Sequence, residues 1–380
     1  MRIALALCSS LVAYAGLEVG YRIYTFRTIR DALLSTALRQ IPADAGGTSI
    51  FDIHTGFRYR PRMRVQSDAP FRISWATNSH GHIARAEYPV AKPSNEFRIG
   101  LVGDSFTANI NNTIQWGDVL EDRLNASAAW VRAIDGRRLR VLNFGLDGIG
   151  VVQFDDVVER MVMPFGIDLL IVNMLRSDVA RRPYFRGEAD IGSTRELEAY
   201  VESRLFTALP WQEVYPEVLA ATVGRWVGVK PRLSLQAGLD LLGGPRHYER
   251  SRDAADASRE ALRRIRCYFP DAIFLVHPTD WDLKNEEPDL YRLAFEALVA
   301  AIPDEEFVDM KAWMPVPASR EELNSWFNIP YDLHNSDRGL RVYGKAVAEY
   351  LLHRFQGARL PVADAALGKT AQVRCARIED

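Results

Sequence analysis

The most constraining feature of this chain is a series of short apolar runs that alternate with helical stretches from residue 97 onward. The apolar runs are continuous, which is typical of parallel strands covered by helices on both faces. They lie at 98–103, 139–145, 168–175, 272–278 and 306–310, and the helical stretches at 116–125, 151–162, 254–269, 286–302 and 339–355. The pattern predicts a three-layer α/β/α sandwich around a parallel five-stranded sheet in the flavodoxin-like order.

The chain has 380 residues, 48% of them hydrophobic, which is enough for one large domain or two modest ones. We expect residues 97–355 to form the α/β domain, with 25–96 packing on it as an approach segment and 356–380 as a loose tail. Residues 181–250 interrupt the alternation with several prolines and aromatics, and a structureless loop of that length is unusual, so we predict a helical insertion. Its aromatic residues either wall a substrate groove or form its own small core.

The N-terminal segment, residues 1–24, contains an uncharged apolar run at 3–17 that follows Arg2. The run is shorter than the roughly 20 residues that span a bilayer, although the helix can extend beyond it. The segment predicts a signal anchor, or a brief signal peptide, with the rest of the chain membrane-anchored on the periplasmic or extracytoplasmic side. The arginines that follow the run favour the opposite orientation.

Charge and cysteine content exclude several classes of function. A net charge of −2 gives no electrostatic case for a nucleic-acid partner. The three cysteines, Cys8, Cys267 and Cys375, are odd in number and far apart, which indicates neither a disulfide framework nor a metal knuckle. No cluster of metal ligands and no site for an organic cofactor is visible, so we predict chemistry that needs neither.

Polar turns follow three successive strands of the predicted sheet. The first strand ends in Gly103-Asp104-Ser105, the second in the glycine-rich 143-NFGLDGIG-150, and the third in 173-NMLRSDV-179. The carboxyl ends of parallel strands meet at one edge of the sheet, where open α/β folds bind ligands. The glycine-rich turn can aim backbone N–H groups at an anion, or it can simply be a tight connection that needs glycine for its conformation.

A candidate general base comes late in the chain, in 330-PYDLHNSDRGL-340. Asp332 and His334 are two residues apart, and in an extended segment such residues point to the same side. Asp332 can then hold one ring nitrogen of His334 and leave the other to take a proton from a serine. The alternative is a loop in which Asp332 or Asp337 only caps the following helix.

These motifs, in this order, resemble the SGNH/GDSL hydrolase family over about residues 75–180 and 270–355. The resemblance implies an esterase-type activity with Ser105 as nucleophile, His334 as base and Asp332 as its acidic partner. It also implies that the backbone N–H groups of Ser105 and Gly148 form part of the oxyanion hole. The segment 77–99 is similar to the lead-in of envelope-associated bacterial members.

Ser177 departs from the family pattern, because the third oxyanion donor of the family is an asparagine amide at this place. A serine hydroxyl is shorter and offers one donor, and one lost donor typically costs on the order of 10²–10³ in rate. The sequence therefore predicts a serine esterase or O-acyl transferase that acts on acyl esters of a cell-envelope carbohydrate, with Ser177 assisting. The alternative is a non-catalytic glycan-binding or assembly protein that keeps the same fold. A phosphate-binding module is disfavoured because no Lys or Arg stands at the P-loop spacing.

Overall fold

The computed structural model describes residues 48–52, 55–181, 244–286 and 289–361, together with Ala13 and Gly16. The chain divides into two compact units, one formed by Met1–Phe51 with Gly187–Glu249 and the other by Asp52–Arg186 with Arg250–Asp380. The parallel sheet and all residues of the candidate site belong to the second unit. The predicted N-terminal segment 1–24 and nearly all of the predicted insertion 181–250 lie outside the described residues.

Five parallel strands form the central sheet, and their order confirms the prediction. The strands of the described residues are, in chain order, β1 (Ser49–Asp52), β2 (Gly56–Tyr59), β3 (Arg64–Ser67), β4 (Ile73–Ala76), β5 (Glu96–Gly103), β6 (Arg138–Asn143), β7 (Leu169–Met174), β8 (Ile273–Val276) and β9 (Phe307–Asp309). The central sheet consists of β5 to β9. The sheet runs β6-β5-β7-β8-β9 with every neighbouring pair parallel. Numbered within the sheet this is 2-1-3-4-5, the flavodoxin-like order, which places β5 between β6 and β7, where the direction of the strand order reverses.

Helices cover both faces of this sheet. They are α1 (Ser105–Ala108), α2 (Trp116–Asn125), α3 (Ala128–Ala133), α4 (Phe154–Val157), α5 (Gly244–Tyr268), α6 (Asp280–Lys284), α7 (Asp289–Ala301), α8 (Arg320–Asn324) and α9 (Asp337–Arg354). Side chains of β5 alternate between two apolar clusters, with Leu101 in the cluster under α2, α3 and α9 and Val102 in the cluster under α4, α5 and α7. The predicted three-layer sandwich is therefore confirmed, and both sheet faces are buried.

Several helices differ from the sequence prediction for local reasons. The predicted helix 151–162 is a chain of short pieces, with α4 followed by a π-helical turn at Val158–Val162 and a 3₁₀ turn at Met163–Phe165. Pro164 has no N–H to continue the α-helical ladder there. The last helix begins at Asp337 rather than Gly339, because the Ser336 side chain caps it by accepting a hydrogen bond from Gly339 N.

The described part of the approach segment packs on the domain. β3 and β4 form an antiparallel pair that the sequence analysis did not predict. Tyr59 and Trp75 are buried in the same apolar cluster as Val102. At the other end of the chain, Leu360 is buried and its N–H donates to Ala133 O, so the start of the predicted loose tail is fixed to the domain.

Two further observations concern a cysteine and the helices. Cys267, in α5, is disulfide-bonded, so the inference that the cysteines indicate no disulfide framework is wrong at this residue. Spacing alone did not reveal it, because disulfide pairing depends on which cysteines the fold brings together. Among the residues described, no helix is both long and apolar enough to cross a membrane.

Candidate active site

Ser105 lies at the junction between the central strand and a short helix. β5 ends at Gly103, Asp104 caps the helix by accepting a hydrogen bond from Phe106 N at 2.9 Å, and Ser105 is the first residue of α1. The N–H groups of a first helical turn have no partner within the helix. The junction therefore holds the Ser105 side chain at the carboxyl edge of the sheet and leaves its backbone N–H available.

The structure brings Ser105, His334 and Asp332 together in one hydrogen-bonded row. His334 Nε2 lies 2.8 Å from Ser105 Oγ, and His334 Nδ1 lies 2.5 Å from Asp332 Oδ1. The same carboxylate oxygen accepts a hydrogen bond from the His334 backbone N–H at 3.0 Å. With the Nδ1 proton directed at Asp332, Nε2 is the acceptor for the serine hydroxyl. This is the geometry that a general base needs for a serine nucleophile.

The charges around the row favour the imidazolium form of His334. Burial by itself lowers the pKa of His334, but the hydrogen bond and charge of Asp332, helped by Asp104 and Asp147, outweigh it and raise that pKa above its ordinary value. Burial likewise raises the pKa of Asp332, and the hydrogen bonds and charge of His334 overcome it, so that the pKa of this carboxyl lies below its usual range. A proton taken from Ser105 is thus stabilised on His334.

Gly148 lies in the loop that follows β6, beside the end of β5. Its φ of 76° is in the left-handed region, which favours glycine. The loop is fixed on both sides of it, because Leu146 N donates to Gly103 O at 3.0 Å and Asp147 N donates to the Tyr59 hydroxyl at 3.2 Å. Within the described ranges the Gly148 N–H donates to no other residue. The Gly148 N–H is therefore not committed to another described residue, and its oxyanion role stays a prediction.

Ser177 lies in a 3₁₀ turn, Arg176–Ala180, that follows β7, and it is half-buried. Its hydroxyl forms no hydrogen bond with another described residue. Asn173, the other amide in this region, points elsewhere: its Nδ2 donates to Thr107 Oγ1 at 2.9 Å, and its Oδ1 accepts from the Tyr343 hydroxyl at 2.5 Å. Asn173 is thereby committed to the interior, and the oxyanion role of Ser177 stays a prediction.

A buried acidic pair behind the nucleophile was missed by the sequence analysis. Asp104 and Asp178 are both fully buried, and Arg181 Nη1 lies 3.1 Å from Asp104 Oδ2 and 3.3 Å from Asp178 Oδ1. Burial first, and then the charge of Asp104, raise the pKa of Asp178 well above its usual value, against the attraction of Arg181. Burial beside Asp104 therefore favours the protonated form of Asp178.

Asp104 also contacts the nucleophile directly. Its Oδ2 lies 3.3 Å from Ser105 Oγ, farther than the 2.8 Å that separates Ser105 Oγ from His334 Nε2. The hydroxyl proton is therefore directed to the histidine.

The loop that carries Asp332 and His334 is held by a polar segment that follows α1. Asn112 Nδ2 donates to Asn335 O at 2.7 Å, and Thr113 N donates to Asp337 Oδ1 at 2.9 Å. Asn109, which ends α1 with a φ of 52°, turns the chain toward this loop. The signal in the sequence was the polar run 109-NINNT-113 directly after the serine motif, whose partners cannot be read from the local pattern.

Potential metal ligands and further histidines do not gather at the site in the part of the chain described. No group of three or more His, Cys, Asp and Glu side chains there could hold a metal ion. Two of the other histidines belong to the interior. His82 and His277 are buried, and burial lowers the pKa of each to about 3, so both stay neutral.

Several solved structures are similar to this chain at low identity. The lipase/acylhydrolase from Enterococcus faecalis is 12% identical, with 68% of this chain and 96% of that chain covered and a TM-score of 0.37. A GDSL-like lipase from Parabacteroides merdae is 12% identical, with 67% and 94% covered and a TM-score of 0.36. A carbohydrate esterase is 11% identical, with 82% and 87% covered and a TM-score of 0.31.

No family model and no curated protein sequence matches the chain. Its own topology is more informative. The serine follows the first strand of a 2-1-3-4-5 parallel sheet, and the acid and base precede the last helix. This is a flavodoxin-like α/β/α sandwich that carries the serine, the acid and the base in the order that the motifs predicted.

Proposed function

We propose that this protein is a serine esterase or O-acyl transferase of the SGNH type. The observation that carries the proposal is the 2.8 Å contact between His334 Nε2 and Ser105 Oγ, with Asp332 on the opposite ring nitrogen. The serine meets an acid–base pair from a distant part of the chain with the order and distances that acyl transfer to a serine requires.

In the proposed first step Ser105 Oγ attacks the ester carbonyl while its proton passes to His334 Nε2. Asp332 holds the resulting imidazolium through Nδ1–H. The negative charge that develops on the carbonyl oxygen is held by the N–H groups of Ser105 and Gly148, with the Ser177 hydroxyl assisting. When the tetrahedral intermediate collapses, the leaving alcohol takes the proton from Nε2, and an acyl group remains on Ser105.

In the second step an acceptor hydroxyl gives its proton to His334 and attacks the acyl carbon. The tetrahedral intermediate then expels Ser105 Oγ, which recovers the proton. With water as acceptor the enzyme is a hydrolase, and with a sugar hydroxyl it is a transferase. No metal or organic cofactor enters either step, since His334 moves the proton and the backbone holds the charge.

The substrate we propose is an acyl ester of a cell-envelope carbohydrate. Two apolar side chains flank the acid and base: Tyr331 is 68% exposed and Leu333 is 38% exposed. Exposed aromatic and aliphatic groups beside a reactive serine suit a ligand with apolar faces, such as a sugar ring or an acyl chain. The disulfide at Cys267 supports a location outside the cytoplasm, where disulfides persist, with residues 1–24 as the proposed membrane attachment.

Covalent labelling tests the proposal directly. The full-length protein is treated with a fluorophosphonate probe and the labelled peptide is identified by mass spectrometry. We expect a single adduct on Ser105, lost in Ser105→Ala and kept in Ser94→Ala, which changes an exposed serine in a turn. If a protein with a normal cooperative unfolding transition takes no label and hydrolyses no ester, the proposal is wrong and non-catalytic glycan binding becomes the better hypothesis.

A further inference from the structure

The two oxygens of the Asp332 carboxylate have different partners. Oδ1 is used by His334, through both its ring Nδ1 and its backbone N–H. Oδ2 accepts a hydrogen bond from Asn111 Nδ2 at 2.7 Å, and the same amide nitrogen lies 3.3 Å from His334 Nδ1. The Asn111 amide therefore sits at the junction of the acid and the base.

The position of Asn111 in the chain connects this amide to the nucleophile. Asn111 follows α1, whose first residue is Ser105, after the left-handed turn at Asn109. Its own backbone carbonyl accepts a hydrogen bond from Asn328 Nδ2 at 3.3 Å, across to the loop that bears the acid and base. One short stretch of chain thus carries the nucleophile at one end and a contact to the acid at the other.

We propose that Asn111 is a positioning residue for the acid–base pair, a fourth member that fixes the Asp332 carboxylate and through it the ring of His334. The inference rests on the proposed function of Ser105, His334 and Asp332. A carboxylate held through one oxygen can rotate about its Cβ–Cγ bond, whereas one held through both oxygens keeps Oδ1 on the Nδ1 proton. Fixing that tautomer keeps Nε2 free to accept the serine proton.

The amide could in principle serve either neighbour, and the distances decide between them. Asn111 Nδ2 lies 2.7 Å from the Asp332 oxygen, whereas His334 Nδ1 is farther away at 3.3 Å and carries a proton in the reactive tautomer. Two donors do not bond to each other. The amide therefore acts on the carboxylate.

The competing explanation is that the segment 109–113 only docks the loop. Thr113 supplies a matched control, because its side chain and N–H bond to Asp337, at the start of α9 and away from the reacting atoms. Thr113→Val removes one hydroxyl donor from the same segment and leaves Asn111 in place. A docking role predicts similar effects for both positions, and a positioning role predicts an effect at Asn111 alone.

The experiment measures the rate of fluorophosphonate labelling of Ser105 against pH. For Asn111→Leu we expect the maximal rate to fall about tenfold, since a hydrogen bond to a charged group is lost. Thr113→Val should label at the wild-type rate. Thermal unfolding of each variant shows whether the fold is kept.

Asn111→Asp keeps the shape of the side chain and replaces the amide donor with a carboxylate, which only accepts hydrogen bonds. His334 already faces the carboxyl groups of Asp332, Asp104 and Asp147, together with His277, which is neutral. A further carboxylate stabilises the imidazolium, so labelling should be slowed most at neutral pH and should recover as the pH rises. This variant also keeps the test open if Asn111→Leu does not fold.

The pKa of His334, measured by NMR on the resting protein, separates failure of this inference from failure of the proposed function. A wild-type protein that takes no label contradicts the esterase proposal, yet the NMR measurement still reports whether Asn111→Leu shifts the His334 pKa. We expect an upward shift, because Asp332 without its second donor attracts the proton more strongly. If the His334 pKa and the labelling rate of Asn111→Leu both equal those of wild type, Asn111 is not a positioning residue.

Discussion

The acid–base side and the oxyanion side of the candidate site are built on different principles. On the acid–base side, His334 and Asp332 are held by side chains from a distant part of the chain, with contacts that span more than two hundred residues, as between Ser105 and His334 at a separation of 229. On the proposed oxyanion side, the donor that we assign is the backbone N–H of Gly148, in a loop whose shape depends on its φ of 76°. Residue identity governs the first side, and backbone conformation governs the second.

This difference predicts which kind of substitution reduces the function of each side. The acid–base side depends on a network of charge and orientation, so isosteric changes that alter only hydrogen-bonding character should damage it. The oxyanion side depends on the path of the chain, so the smallest addition of a side chain should damage it. Four measurements test this distinction between the two sides.

The largest effect is expected for Asp332→Asn, which keeps the shape and removes the charge. An amide at this place can favour the wrong His334 tautomer, and kcat/KM for p-nitrophenyl acetate should fall by roughly 10³- to 10⁴-fold. Asp68→Asn, at a side chain that is 96% exposed, is the control and should be silent. Retention of a tenth or more of the activity would mean that side-chain identity does not govern the acid–base side.

The second test compares two glycines of matched conformation. Gly148 and Gly136 have φ values of 76° and 73°, and a Cβ added at Gly136 meets nothing within 4 Å. Each change to Ala should lower the free energy of unfolding by about 1–2 kcal/mol through backbone strain. Only Gly148→Ala should also lower kcat/KM, by about 10²-fold as an oxyanion donor is displaced. Equal activities of the two variants would remove Gly148 from the site.

The pH dependence of activity tests the charge network. The reaction needs neutral His334, whose pKa is raised because Asp332, Asp104 and Asp147 outweigh the effect of burial. Activity should therefore fall by about tenfold per pH unit on the acid side of a midpoint above the ordinary histidine value of about 6.5. The midpoint should move down in Asp332→Asn and stay in place in Gly148→Ala. A common shift in both variants would argue against two separable sides.

The smallest effect is expected at Ser177, where a side chain adds to the backbone donors. Ser177→Asn should raise kcat/KM for p-nitrophenyl acetate by about tenfold, because an amide reaches farther than a hydroxyl. Ser177→Ala should reduce it only modestly. If wild type already turns over briskly and Ser177→Asn changes nothing, the third donor comes from another group.

The sequence predicted the fold and the reacting residues because both leave local patterns. It did not predict the residues that hold the reacting ones, because those contacts join distant parts of the chain. Continuous apolar runs indicate buried parallel strands. The reacting residues lie in short motifs that can be recognised from the neighbouring sequence, namely Ser105, Asp332 and His334. The partnership of Asn111 with Asp332 depends on a contact across 221 residues, which no local pattern contains. The raised pKa of Asp178 depends on its burial beside Asp104, and burial of an acidic residue after a strand is visible only once the fold is known.

The separation between Ser105 and its base also has a consequence for the protein during its synthesis. The segment with Ser105 and the central strands emerges from the ribosome long before residues 332–334 do, and a serine without its base is a poor nucleophile. Under the proposed function, a nascent chain is therefore inert toward esters even when part of its sheet has formed. Reactivity appears only when the loop before α9 has docked.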